Sequence, residues 1–90
     1  MHKKILEDLL SVNPSELVKT KKVLAKIYGE ICFMLKVKNF VAIQQIANTL
    51  SYFLSINSKQ NYYDSSIMYR SRRFLDEVRH LVQFCLKVVG

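Results

Sequence analysis

The sequence predicts an all-α fold, a bundle of four helices forming one domain over residues 1–90. Two glycines and one proline are too few for a chain of tightly turned β-strands or for a long disordered linker. Apolar residues make up 50% of the chain and recur at spacings of three and four in successive segments. The third observation is a charge-free window, residues 39–58, in a chain that is 23% Asp, Glu, Lys and Arg. About five charges are expected in a window of that length, so their absence marks a central helix enclosed by its neighbours. A domain of this size buries roughly 60 to 65% of its unfolded surface and needs neither metal nor disulfide staples.

Ile5, Leu6, Leu9, Leu10 and Val12 predict a short first helix over residues 3–11, too short to stand alone. Asn13 as N-cap, Pro14 at the first helical position and Glu16 as capping-box partner predict that the second helix begins at Pro14. Val12 and Leu17 are placed to close a hydrophobic staple across that start. The second helix is expected to reach about residue 38, with Leu17, Leu24, Ile27, Ile31, Met34 and Leu35 on its core stripe and Lys19, Lys22, Lys26 and Glu30 opposite. Phe33 and Val37 fall on the lysine-bearing side, and the expectation is that the first helix folds back over them, with a partner-binding patch as the alternative. Gly29 costs this helix about 0.5 to 1 kcal/mol relative to Ala, and either permits a close helix crossing or is simply tolerated.

A turn at Lys38 and Asn39 leads into the charge-free helix, expected over residues 40–56. Ile43, Ile46, Ala47, Leu50, Phe53 and Leu54 make one apolar face, Val41, Tyr52 and Ile56 a second, and Gln44, Asn48, Ser51 and Ser55 a narrow polar stripe. Two apolar faces imply two neighbours. The amides and hydroxyls make the segment too polar for a membrane span. Residues 57–66 read as a polar loop with Tyr62 and Tyr63 adjacent, and Asp64 or Ser65 is the expected cap of the last helix, over residues 66–89. That helix should bury Ile67, Phe74, Leu75, Val78, Leu81, Val82, Cys85 and Val89 and expose Arg70, Arg72, Arg73, Asp76, Arg79 and Lys87. Arg72 with Asp76 and Arg73 with Glu77 are spaced for i,i+4 ion pairs.

Fourteen basic residues against seven acidic ones give a formal charge of +7, which favours a negative partner: nucleic acid, an anionic membrane face or an acidic protein. The N-terminal Met1-His2-Lys3-Lys4-Ile5-Leu6-Glu7-Asp8 contains no apolar run of signal-peptide length, so the expected location is the cytoplasm. Cys32 and Cys85 both fall in apolar stretches and are read as reduced core residues.

No catalytic apparatus is legible. There is no Ser/His/Asp or Cys/His arrangement with recognisable context and no glycine-rich phosphate loop, so no enzyme and no cofactor are expected. Glu77 and His80 form a Glu-x-x-His step, but the second copy and the further inward carboxylates of a di-iron bundle are missing. Cys32, Cys85, His2 and His80 contain no short-range ligand pair for zinc, and no metal is expected. Gln45-Ile46-Ala47-Asn48-Thr49-Leu50-Ser51 has the look of the first helix of a helix-turn-helix, yet the apolar periodicity runs on through Phe53 and Leu54. Tyr62, Tyr63 and Tyr69 beside Arg70, Arg72 and Arg73 form a second nucleic-acid candidate, a stacking and phosphate surface, against the plainer reading of tyrosines packed on a bundle rim.

The order of elements resembles a known family. A short basic N-terminal helix, Val23-Leu24-Ala25-Lys26-Ile27-Tyr28 in the second, Leu50-Ser51-Tyr52-Phe53-Leu54 in the third and Phe74-Leu75-Asp76-Glu77-Val78 in the last look like the immunity proteins of class IIa (pediocin-like) bacteriocins. The resemblance implies an antiparallel four-helix bundle in the cytosol of a Gram-positive bacterium, protecting its producer from its own bacteriocin. It also implies a partner, the membrane-embedded mannose permease with bound bacteriocin, met at the cytoplasmic face, with the C-terminal part of the chain setting specificity. On that reading Tyr62, Tyr63, Arg70, Arg72, Arg73, Arg79 and Lys87 are the candidate partner-binding residues. A basic nucleic-acid-binding or regulatory module is the alternative, and an oligomeric adaptor built on Phe33, Val37, Tyr52 and Ile56 a third.

Overall fold

The computed structural model describes residues 3–63 and 71–90, with the backbone alone for residues 58–63. Among the described residues there are four helices: α1 (Lys3–Ser11), α2 (Leu17–Lys36), α3 (Phe40–Tyr63) and α4 (Arg72–Val89). They pack as the expected helical bundle. α3 and α4 share the most extensive interface, and α3 also meets α1 and α2. Grooves lined by Leu17, Thr20 and Phe74, and by Leu24, Tyr28, Glu77 and Phe84, show residue numbers rising together along α2 and α4. Those two helices therefore run parallel, and the intervening α3 runs antiparallel to both.

The core is the apolar face of each helix closed on the others. Ile5 and Leu9 come from α1, Ile27 and Ile31 from α2, Ile43, Ile46, Ala47, Leu50 and Phe53 from α3, and Phe74, Val78, Leu81 and Cys85 from α4. Phe53 meets Phe74 edge-on, with ring centroids 5.9 Å apart and planes at 79°. The charge-free segment supplies the largest share of these core residues, in keeping with a central helix. Its second apolar face does not form: Val41 is 70% exposed and Tyr52 52% exposed, while Ile56 is half-buried.

The start of α2 differs from the expected capping box. Asn13 spends its side chain on a turn, its Oδ1 accepting from the Ser15 amide at 3.1 Å and the Ser15 hydroxyl at 2.8 Å. The Glu16 amide donates to the Asn13 carbonyl at 2.9 Å, closing a β-turn with Pro14 in its favoured second position. The helix then begins at Leu17 rather than Pro14, with Glu16 as an N-cap that makes no side-chain cap bond. The staple fails as well, since Val12 is buried and Leu17 is exposed.

At its other end α2 stops at Lys36. The Asn39 amide donates to Met34 O at 2.8 Å and the Lys38 amide to Leu35 O at 3.1 Å, the paired bonds of a Schellman motif. Lys38 occupies the left-handed position with φ 59°, where a side chain is disfavoured by roughly 1 to 2 kcal/mol. Asn39 then caps α3, its Oδ1 accepting from the Ala42 amide at 3.1 Å.

α3 continues seven residues beyond the expected residue 56, so the first part of the predicted loop is helical to Tyr63. No Gly or Pro interrupts residues 57–63, and Asn57, buried at 2% exposure, donates through its amide to Phe53 O at 2.9 Å. α4 starts later than expected: Ser71 has an extended backbone, and its hydroxyl accepts from the Phe74 amide at 3.2 Å as an N-cap. The caps suggested at Asp64 and Ser65, and Ile67 as a core residue, lie outside the described residues.

α1 does not cover Phe33 and Val37, which are 57% and 54% exposed. Length explains this. Nine residues of α1 span about 14 Å and twenty residues of α2 about 30 Å. Docked by Ile5 and Leu9 and tied by Asp8 to Lys26 at 3.3 Å, α1 runs out before the last turns of α2. Gly29 marks no helix crossing, because a Cβ built there meets nothing within 4 Å. Gly29→Ala should therefore stabilise the domain by about 0.5 to 1 kcal/mol, seen as a higher urea midpoint with unchanged slope.

The cysteines divide. Cys85 is fully buried, and burial pushes its thiol up to about 11, whereas Cys32 is half-buried rather than a full core residue. A thiol reagent at mildly alkaline pH should modify Cys32 in the folded protein and reach Cys85 only on unfolding. Two equally fast thiols in a native titration would contradict this packing. Because the folded thiol titrates above its ordinary value, its contribution to stability is complete below about pH 9 and is lost as pH rises towards 11.

Candidate functional site

α4 carries the basic surface expected from the sequence. Its apolar residues Phe74, Val78, Leu81 and Cys85 fix the helix against the core, which turns Arg72, Arg73, Arg79 and Lys87 to solvent. At 1.5 Å per residue the stripe from Arg72 to Lys87 is about 22 Å long. Arg72, Arg79 and Lys87 lie on the outermost line, and Arg73 lies to one side, facing α2.

Arg73 lines a groove of about 420 Å³ between α2 and α4 with Leu17, Lys21, Leu24, Phe74 and Glu77. Beyond it, Tyr28 stacks on Phe84 with centroids 5.3 Å apart and planes at 23°. A hydrogen bond with Cys32 raises the Tyr28 phenol above its ordinary value.

The ion pairing on this face departs from the i,i+4 expectation. Asp76 pairs with Arg79, Nη1 to Oδ1 at 2.6 Å, instead of with Arg72. Both members are about half exposed, so the pair is worth less than about 1 kcal/mol and fades with salt. It nevertheless offsets one positive charge in the middle of the stripe.

Tyr62 and Tyr63 lie in the last turn of α3, with their side chains outside the described atoms, and Arg70 lies outside the described residues. Four of the seven sequence-derived candidates are therefore placed, all on one helix. Among the described residues no group of three or more His, Cys, Asp and Glu is gathered to hold a metal ion, and His80 and Glu77 both face solvent. No described helix is long and apolar enough to cross a membrane.

A second surface was read only in part from the sequence, which offered Phe33 and Val37 as an alternative interface with Tyr52 and Ile56 and did not single out Phe40 and Val41. Phe33 and Val37 at the end of α2 and Phe40 and Val41 at the start of α3 are exposed together around the turn at residues 37–39. The signal for it was present in the disparity between the lengths of the first two predicted helices.

Comparison with protein-family models, with curated proteins and with solved structures finds no match to this chain. The fold and surfaces define the class directly: a small, basic, all-α bundle with a cationic helix face.

Proposed function

We propose that the chain is a non-enzymatic immunity protein that protects a producing cell against a class IIa bacteriocin. It works from the cytosolic side, on the membrane-embedded mannose permease with the bacteriocin bound. The observation that supports this reading most is the exposed basic stripe of α4, Arg72, Arg73, Arg79 and Lys87, on a four-helix bundle of the expected order. Cationic groups suit the anionic cytoplasmic leaflet around such a permease, and Tyr62 and Tyr63 suit its interface.

The test is expression in a sensitive strain followed by challenge with a panel of class IIa bacteriocins. Survival against at least one peptide is expected, and survival against none, with the protein folded and abundant, counts against the reading. Changing Arg70, Arg72 and Arg73 together to Glu should reduce protection while leaving the helical signal intact, since Arg72 and Arg73 are exposed. Full protection by that variant removes the basic stripe from the mechanism. The same stripe also fits a nucleic-acid-binding module, for which binding to generic DNA or RNA should weaken steeply with salt.

A further inference from the structure

The turn between α2 and α3 forms an apolar tip at which the charges of the turn itself are all positive, the nearest carboxylate along α2 being Glu30, one turn before Phe33. Phe33, Val37, Phe40 and Val41 are exposed there, and Lys36 and Lys38 flank Val37 in sequence. Because α2 and α4 run parallel, the last turns of α4 approach the same end, bringing exposed Leu86 and Lys87. Residues 31–63 contain no Asp or Glu, and neither do residues 78–90. Lysines near the ends of α2 and α4 complement the helix dipoles. That accounts for the charges and leaves the four large apolar side chains beside them unexplained.

We propose that this tip docks onto an anionic phospholipid bilayer, with Phe33, Val37, Phe40 and Val41 entering the interface and Lys36, Lys38 and Lys87 meeting the phosphates. Lysine stems lie along apolar surface while their ammonium groups reach outward, so apolar and basic groups at one level suit a bilayer boundary. Each lysine near such a surface strengthens partition by roughly fivefold, and more weakly as salt screens it. A second copy is a poor occupant. Two-fold pairing would bring together two patches that each carry Lys36, Lys38 and Lys87, with only Glu30 at the edge of each to offset them. A groove in another protein takes a long stripe from one helix face, whereas here the apolar groups come from the ends of two helices across a convex turn. The inference stands on this surface alone and does not depend on the immunity reading.

The test is partition of the purified full chain onto vesicles of phosphatidylglycerol with phosphatidylcholine, against vesicles of phosphatidylcholine alone. Partition onto the anionic vesicles should be at least about tenfold stronger and should fall with salt. Phe33→Ser, Val37→Ser and Val41→Ser combined should reduce it about tenfold or more, and so should Lys36→Glu with Lys38→Glu. None of these five residues belongs to the α4 stripe, and all are exposed, so circular dichroism should show unchanged helix content. Absence of partition, or partition that both variants leave intact, overturns the proposal. So does a concentration-dependent dimer abolished by the apolar variant, which would assign the tip to a second copy, or capture by an acidic protein with no affinity for the vesicles.

Discussion

Phe53→Ala should lower the unfolding free energy by about 3 to 5 kcal/mol, because the ring is fully buried between α3 and α4 and the vacated space cannot close. Domains of this kind hold only about 5 to 15 kcal/mol in total, so the variant should sit near the limit of folding at 37 °C. Part of the loss is the edge-on contact with Phe74, worth about 0.5 to 1.5 kcal/mol beyond simple burial. Phe74→Ala should be nearly as damaging, and the double variant should cost less than the sum. Guanidinium unfolding of the set gives each term. A loss below about 1 kcal/mol for Phe53→Ala would place the ring at a surface instead of in the core.

Leu9→Ala should cost about 2 to 5 kcal/mol, and Asp8→Ala less than about 1. The two residues are neighbours on α1 and test different forces. Leu9 is fully buried against the bundle, whereas Asp8 holds Lys26 at 3.3 Å with the lysine side chain 52% exposed. If apolar burial holds α1 down, the leucine change loosens the helix and amide exchange across residues 3–11 rises towards solvent rates. The reverse order of effects would mean that the ion pair anchors α1.

These packing arguments rest on features that the sequence displays well. The α4 core residues and its cationic face were legible because a regular helix converts a spacing of three and four directly into inside and outside. Phe53 and Leu50 were legible for the same reason. Helix ends were harder. The pattern at Asn13, Pro14 and Glu16 serves a capping box and a β-turn equally, and the Ser15 amide and hydroxyl competed successfully for the Asn13 oxygen. Asn57 looked like the beginning of a loop, yet its amide nitrogen donates to the carbonyl one turn back and the residue sits inside the helix, with its Oδ1 buried and without a hydrogen-bond partner among the described residues. Asp76 had arginines at two permitted spacings, and the pair that formed is the one with Arg79.

The exposed tip was only partly legible, with Phe33 and Val37 open to either reading, for a different reason. Phe33 and Val37 are apolar in a way that composition cannot distinguish from core, and their exposure depends on how far another element reaches. Such a property belongs to the assembled bundle rather than to any local window. Helix length multiplied by rise was the available clue, since about 14 Å of α1 cannot shield about 30 Å of α2.

The turn at residues 37–39 has one more consequence. Its backbone is pinned from both sides, by the paired bonds that close α2 and by Asn39 at the head of α3. Whatever meets this end of the bundle therefore meets a surface already in its final shape, and little chain freedom is forfeited on contact. Association should then be limited by encounter and hastened by the lysines, while the apolar side chains set how long the contact lasts.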